Sequence, residues 1–72
     1  MLQNENKPLR YYHENWWKVE DECIWYLAGT CASDHTLKAG AWYFSDEAGL
    51  MNGPYDSRKE AEEAWKAYCK HL

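Results

Sequence analysis

Basic residues are scarce in this chain. Eight Lys and Arg stand against twelve Asp and Glu, for a net charge of −4. Phosphate backbones are held by clustered Lys and Arg, so the deficit argues against a nucleic-acid partner. No apolar run approaches the roughly 20 residues of a membrane-spanning helix. The opening residues are polar, unlike a secretory signal. The three cysteines, Cys23, Cys31 and Cys69, are too few and odd in number for a secreted disulfide scaffold. These absences lead to the expectation of a reduced, cytoplasmic protein with no membrane contact.

A catalytic set is also missing. Cys31, His35, Cys69 and His71 are zinc-type ligands. Their spacing lacks the tight pairs that structural zinc sites use, so no metal is expected. Ser33, Asp34 and His35 are triad residue types, but adjacent residues do not converge on one reacting atom. Cys31 or Cys69 beside a histidine lacks a third, orienting group. No cofactor motif is present. The expectation is a non-catalytic protein.

What the chain has is aromatic surface: five Trp, six Tyr and one Phe in 72 residues. A chain this short buries only about 60% of its unfolded surface, while each large aromatic brings roughly 150–250 Å². Some of that area is therefore expected on the outside, where it marks a binding face. A hydrophobic content of 46% with 28% charged residues fits a globular domain rather than a disordered segment.

Along the chain, residues 1–9 are polar and aperiodic and read as a flexible N-terminal tail. A single domain is expected over 10–72. Residues 10–15 fit either a short strand or one turn of helix. Trp16–Glu20 and Cys23–Ala28 read as a β-hairpin across the charged turn Glu20-Asp21-Glu22, with one long strand or helix through the acidic run as the rival. Residues 29–40 read as a loop. Ala41–Ser45 is a strand, and Asp46–Gly49 a turn in which Gly49 supplies positive φ. Leu50–Asn52 is a short return strand stopped by Gly53-Pro54.

Ser57-Arg58-Lys59-Glu60 matches a capping box, with Ser57 accepting from the Glu60 amide and Glu60 reaching back to the Ser57 amide. Ala61, Ala64, Trp65, Tyr68 and Leu72 follow as one apolar helix stripe. Arg58, Lys59, Glu62, Glu63, Lys66 and Lys70 form its solvated side, with Glu62 and Lys66 as an i,i+4 pair. Cys23 and Cys69 are expected as small core residues. The fold class is thus α+β: a small antiparallel sheet of three to four strands packed on one C-terminal helix.

One helix covers one sheet face. Alternation puts Trp17, Val19, Trp42 and Phe44 toward it. Trp16, Lys18 and Glu20 then share the other face with Ala41, Tyr43 and Ser45. Strand 23–28 adds either Trp25 and Leu27 or Ile24 and Tyr26. The expected site is this second face: Trp16, Tyr43 and Trp25 or Tyr26, rimmed by Glu20, Asp21, Glu22, Asp46 and Glu47. Residues 1–15, a second copy forming a homodimer, or a target protein would cover it. A protein partner with a basic surface fits the charge.

Three resemblances add to this reading. Trp42-Tyr43-Phe44, then Gly53-Pro54-Tyr55 eight residues on and a helix bearing Trp65, resemble the W-x-Y…G-P-F opening of GYF domains. That resemblance implies an adaptor whose aromatic pocket binds proline-rich peptides. The run Gly53 to Glu62 resembles the end of the three-stranded DNA-binding domain of phage-type integrases, which implies a sheet that reads DNA. In general style the chain is similar to the small acidic accessory proteins of phages and mobile elements. Many of those inhibit host or defence proteins, CRISPR effectors among them.

Overall fold

The computed structural model describes residues 7–30 and 35–70. Five strands are joined in chain order into one antiparallel sheet: β1 (Leu9–His13), β2 (Trp16–Val19), β3 (Ile24–Leu27), β4 (Ala41–Ser45) and β5 (Met51–Tyr55). One helix, α1 (Arg58–Cys69), follows. The α+β class stands, with five strands rather than three to four.

The extra strand is β1. It pairs with β2 from Leu9↔Val19 to Tyr11↔Trp17. Between Tyr11 and His13 the register shifts, so Tyr12 is the extra residue of a bulge. Glu14, at φ 49°, and Asn15 make the turn into β2. Order also begins before residue 10. The Pro8 carbonyl accepts from the Glu20 amide at 3.0 Å, and the Lys7 carbonyl accepts from Arg58 Nη1 at 3.0 Å.

The hairpin of β2 and β3 forms as the sequence predicts, with Asp21 at φ 63° in its turn. Gly49 has the expected positive φ, 83°. The return strand, however, does not stop at Gly53-Pro54. It runs through both residues to Tyr55, which pairs with Trp42. Proline is tolerated because β5 is the sheet edge, where a missing donor breaks no ladder. Gly53 and Pro54 together oppose Tyr43, a second bulge.

The helix starts as expected, with Ser57 Oγ accepting from the Glu60 amide at 3.1 Å. The return arm differs, because Glu60 Oε1 accepts from the amide of Asp56 rather than Ser57. The polar side of the helix also differs. Glu62 is buried and accepts from Arg58 Nε at 3.0 Å, so its partner lies one turn back rather than at Lys66. Arg58 thereby ties the first helical turn to the Lys7 carbonyl across the sheet. Cys69 is exposed, because the apolar stripe has passed at Tyr68, and Cys23 is half-buried. Leu72 lies outside the described residues.

The helix packs chiefly on β3, β4 and β5. Its Ala61, Ala64, Trp65 and Tyr68 join Val19, Ile24, Phe44, Trp42, Tyr55 and Leu9 in one apolar cluster. A second cluster lies on the opposite sheet face: Trp16, Trp25, Leu27, Ala41 and Tyr43, packed against Leu37 and Met51. The sheet is therefore the middle layer between two small cores. Each fully buried residue such as Val19, Ile24 or Leu27 contributes about 1.5–3 kcal/mol of transfer free energy.

Candidate functional site

The expected binding face is closed. Of the two options for β3, Trp25 and Leu27 lie on the face away from the helix, with Trp16 and Tyr43. There Trp16 is 5%, Trp25 8% and Tyr43 1% exposed. The three aromatics make edge contacts, with Trp16 at 6.0 Å from Trp25 and 5.5 Å from Tyr43 between ring centroids. Leu37, from the 35–40 segment, packs over them. The Tyr43 hydroxyl bonds to both the amide and the carbonyl of Lys38. Trp25 Nε1 donates to Ser45 Oγ, Tyr12 meets its ring edge-on, and Lys18 Nζ lies 5.8 Å from its centroid. Alternation identified which residues share this face. It did not show that the chain's own loop covers them.

The predicted acidic rim is brought together at one end of the sheet. The β2–β3 and β4–β5 turns adjoin there, joined by the Ser45 amide donating to the Cys23 carbonyl at 2.9 Å. Its members are unequal. Glu22 is buried, and Glu20 faces Arg10 at 3.5 Å. Asp46 organises its own turn. Its Oδ1 accepts from the amides of Ala48 and Leu50, and Oδ2 from Asn52 Nδ2. The Leu50 amide above all holds the Asp46 carboxyl below its ordinary range, outweighing the opposing effect of desolvation. Asp21 and Glu47 are exposed.

Tyr12, against Trp25, is the exposed aromatic of the loop-covered face; more aromatic surface is found on the helix side. Tyr11, Trp17, Tyr26, Trp42 and Tyr55 are direct partners, strand to strand, across all five strands. Direct partners project to the same face, so the five rings form one row. Its β5 end is drawn into the helix-side core, since Trp42 and Tyr55 pack on that cluster. Its β1 end is open, with Tyr11 60% and Trp17 36% exposed. Tyr26 is half-buried between them. The rings contact in two pairs: Tyr11 with Trp17 at 5.5 Å, and Tyr26 with Trp42 at 4.8 Å.

The strands contribute no Lys or Arg to this face, although the helix side holds Arg58 at the Lys7 carbonyl. The only basic residues in the strands are Arg10 and Lys18, which are register partners. Alternation places both on the opposite face, where Lys18 meets Trp25. The sheet end nearest the row carries Glu14, in the β1–β2 turn, and Asp56, directly after Tyr55. Both are exposed.

Of the predicted site residues only Tyr26 belongs to this row. Tyr11 and Trp17 were the residues sequence reasoning missed as surface. Trp17 looked like a helix-side core position, and Tyr11 lay in a segment with two competing readings. The available signal was an aromatic on every strand that strand register can bring side by side once β1 is counted as a strand.

No protein-family model matches the chain, and neither a curated protein nor a solved structure matches it. Among the described residues no group of three or more His, Cys, Asp or Glu is placed to hold a metal ion. His35 is exposed, while Cys31, Ser33, Asp34 and His71 lie outside the described residues. Among the described residues no helix is long and apolar enough to cross a membrane.

Proposed function

We propose that the protein is a non-catalytic binding module that docks its aromatic row on a basic surface of a partner protein. The observation that carries this reading is the row itself. Five aromatics stand in direct register, the β1 end is open, and that strand face has no Lys or Arg. Rigid Tyr and Trp rings are efficient anchors at interfaces because they bring large area at low entropic cost. Glu14, Asp56 and the overall charge of −4 steer a basic partner and repel nucleic acid. A basic, nucleic-acid-handling protein is the kind of target this chemistry suits, and occupying its groove would inhibit it.

The test is affinity capture with three proteins compared: the wild type, a Tyr11→Ala/Trp17→Ala variant, and a Glu14→Lys/Asp56→Lys variant. The reading requires a stoichiometric basic partner that elutes with salt from the wild type and is lost from both folded variants. Capture of the same partner by all three sinks it.

One observation favours a second reading. Trp42 and Tyr55, which carry the resemblance to GYF domains, are direct register partners, and Trp65 packs in the same cluster. This supports a proline-rich peptide as the alternative ligand of the row. Titration with an uncharged proline-rich peptide separates the two, since its binding is insensitive to salt.

A further inference from the structure

The two edges of the sheet are unlike. On β5 the edge is interrupted by the Gly53-Pro54 bulge, where proline offers no donor. β1 forms the other edge, contains neither proline nor lysine, and has four of its five residues exposed. Its backbone groups alternate in direction. The Pro8 carbonyl accepts from the Glu20 amide on β2, so along the register Arg10 also directs its backbone bonds to β2. Leu9 and Tyr11 therefore turn their amides and carbonyls outward, away from the sheet. Among the described residues none bonds to these outward groups. The helix leaves the edge clear, since it packs chiefly on β3, β4 and β5.

We infer that β1 pairs antiparallel with β1 of a second copy, Tyr11 opposite Tyr11, so that two sheets join about a twofold axis. This pairing stands apart from the docking reading, because a monomer carries the same open row. Three observations lead to a second copy rather than a foreign strand. First, a residue with both backbone groups turned outward exchanges two hydrogen bonds with its own symmetry mate. Second, direct partners share a face, so Tyr11 meets Tyr11 on the helix side and the two aromatic rows become one. The exposed ring, held on one flank by Trp17 at 5.5 Å, gains a neighbour on the other. Third, this register sets Arg10 opposite Tyr12 of the second copy, twice over. Both lie on the loop-covered face, Arg10 as the partner of Lys18 and Tyr12 against Trp25. Tyr12 is exposed, so its ring is available to a guanidinium. A register centred on Arg10 would engage Leu9 as well, but it sets two arginines against each other in a close pair. The contact is short, so the dimer is weak and depends on concentration.

Sedimentation velocity of the intact protein from about 10 µM to about 1 mM reads the association. The mass should rise from one chain toward two across that range. Amide exchange at both ends of the range identifies the strand. The Tyr11 amide should slow at high concentration, whereas the Arg10 amide, bonded to β2, is protected throughout. Tyr11→Pro removes the outward donor without removing a bond to β2, and it should stay monomeric. Circular dichroism checks its fold, and should it fail to fold, the wild-type Tyr11 amide decides alone. Tyr11→Phe should still dimerise. Arg10→Ala should weaken the dimer about tenfold, through the two lost contacts with Tyr12. A single-chain mass at the highest concentration overturns the pairing. So does a dimer formed by folded Tyr11→Pro, or a dimer whose Tyr11 amide exchanges equally fast at both concentrations. A dimer strengthened by Arg10→Ala overturns the Tyr11-centred register, since relief of facing arginines marks the other one. The capture experiment decides the docking reading separately, whichever mass is found.

Discussion

Tyr43 and Lys38 hold one another through two hydrogen bonds. The Lys38 amide donates to the Tyr43 hydroxyl at 2.8 Å, and that hydroxyl donates to the Lys38 carbonyl at 3.1 Å. The phenol is thus a post in the core whose tip fixes the segment that covers Trp16 and Trp25. Replacing it with Phe keeps the ring and leaves a backbone amide and carbonyl without this partner. Tyr43→Phe should therefore cost about 1–3 kcal/mol, read as a lower urea midpoint. The amide of Lys38 should lose its protection from hydrogen exchange. Unchanged protection at Lys38 would show that the segment is held by other contacts.

Gly53 stands behind the same ring. Its φ is +153°, and a Cβ there would lie 2.7 Å from Tyr43 Cδ2 and 2.9 Å from the Trp42 carbonyl oxygen. Neither neighbour has room to give way, since Tyr43 is buried and the carbonyl is backbone. Gly53→Ala should destabilise by about 1–3 kcal/mol. Gly40, at φ +77° with open space around it, provides the comparison. Alanine there meets only the backbone penalty, so its thermal midpoint should fall less.

Asp46 gives the β4–β5 hairpin a pH dependence. Its folded-state pKa lies below the ordinary 3.8, chiefly through the Leu50 amide, with Asn52, Ala48 and Gly49 adding to it and desolvation opposing. A depressed carboxylate contributes stability that is fully present above the unfolded value. That contribution is lost as pH falls through the folded one. The thermal midpoint should therefore drop more steeply below about pH 4 in the wild type than in Asp46→Asn. At neutral pH the Asn variant should be the less stable of the two. Parallel acid limbs for the two proteins would count against this role.

Much of the fold was legible because local patterns agreed with one another. The β2–β3 hairpin, β4, the Gly49 turn and the Ser57 cap each rest on neighbouring residues, and each is present. The failures come from contacts distant in sequence. Strand β1 has five residues, four of them exposed, so it carries no alternation to read. Its identity lies in the pairing of Tyr11 with Trp17. Glu62 looked solvated on a helical wheel, yet Arg58 draws it inward while reaching Lys7, 51 residues away in the chain. The site was half legible for the same reason. Alternation sorted the aromatics onto two faces, but Leu37 and Lys38, from a loop without pattern, decided which face is closed.

The adjacent residues Trp16 and Trp17 put this division to the test within one dipeptide. Alternation sends the first into the loop-covered core at 5% exposure and the second to the open row at 36%. Truncating Trp16 empties a site packed by Trp25 and Tyr43, so Trp16→Ala should cost about 3–5 kcal/mol. That is enough to unfold much of a domain this small. Trp17 is less buried than Trp16, so Trp17→Ala should cost less, about 1–3 kcal/mol, and leave the circular dichroism spectrum closer to that of the wild type. Partner capture should follow the opposite order when corrected for the folded fraction. It should be retained per folded molecule of the Trp16 variant and lost for the Trp17 variant. If both variants bind in proportion to their folded fractions, the aromatic row is a packing feature and the docking surface lies elsewhere.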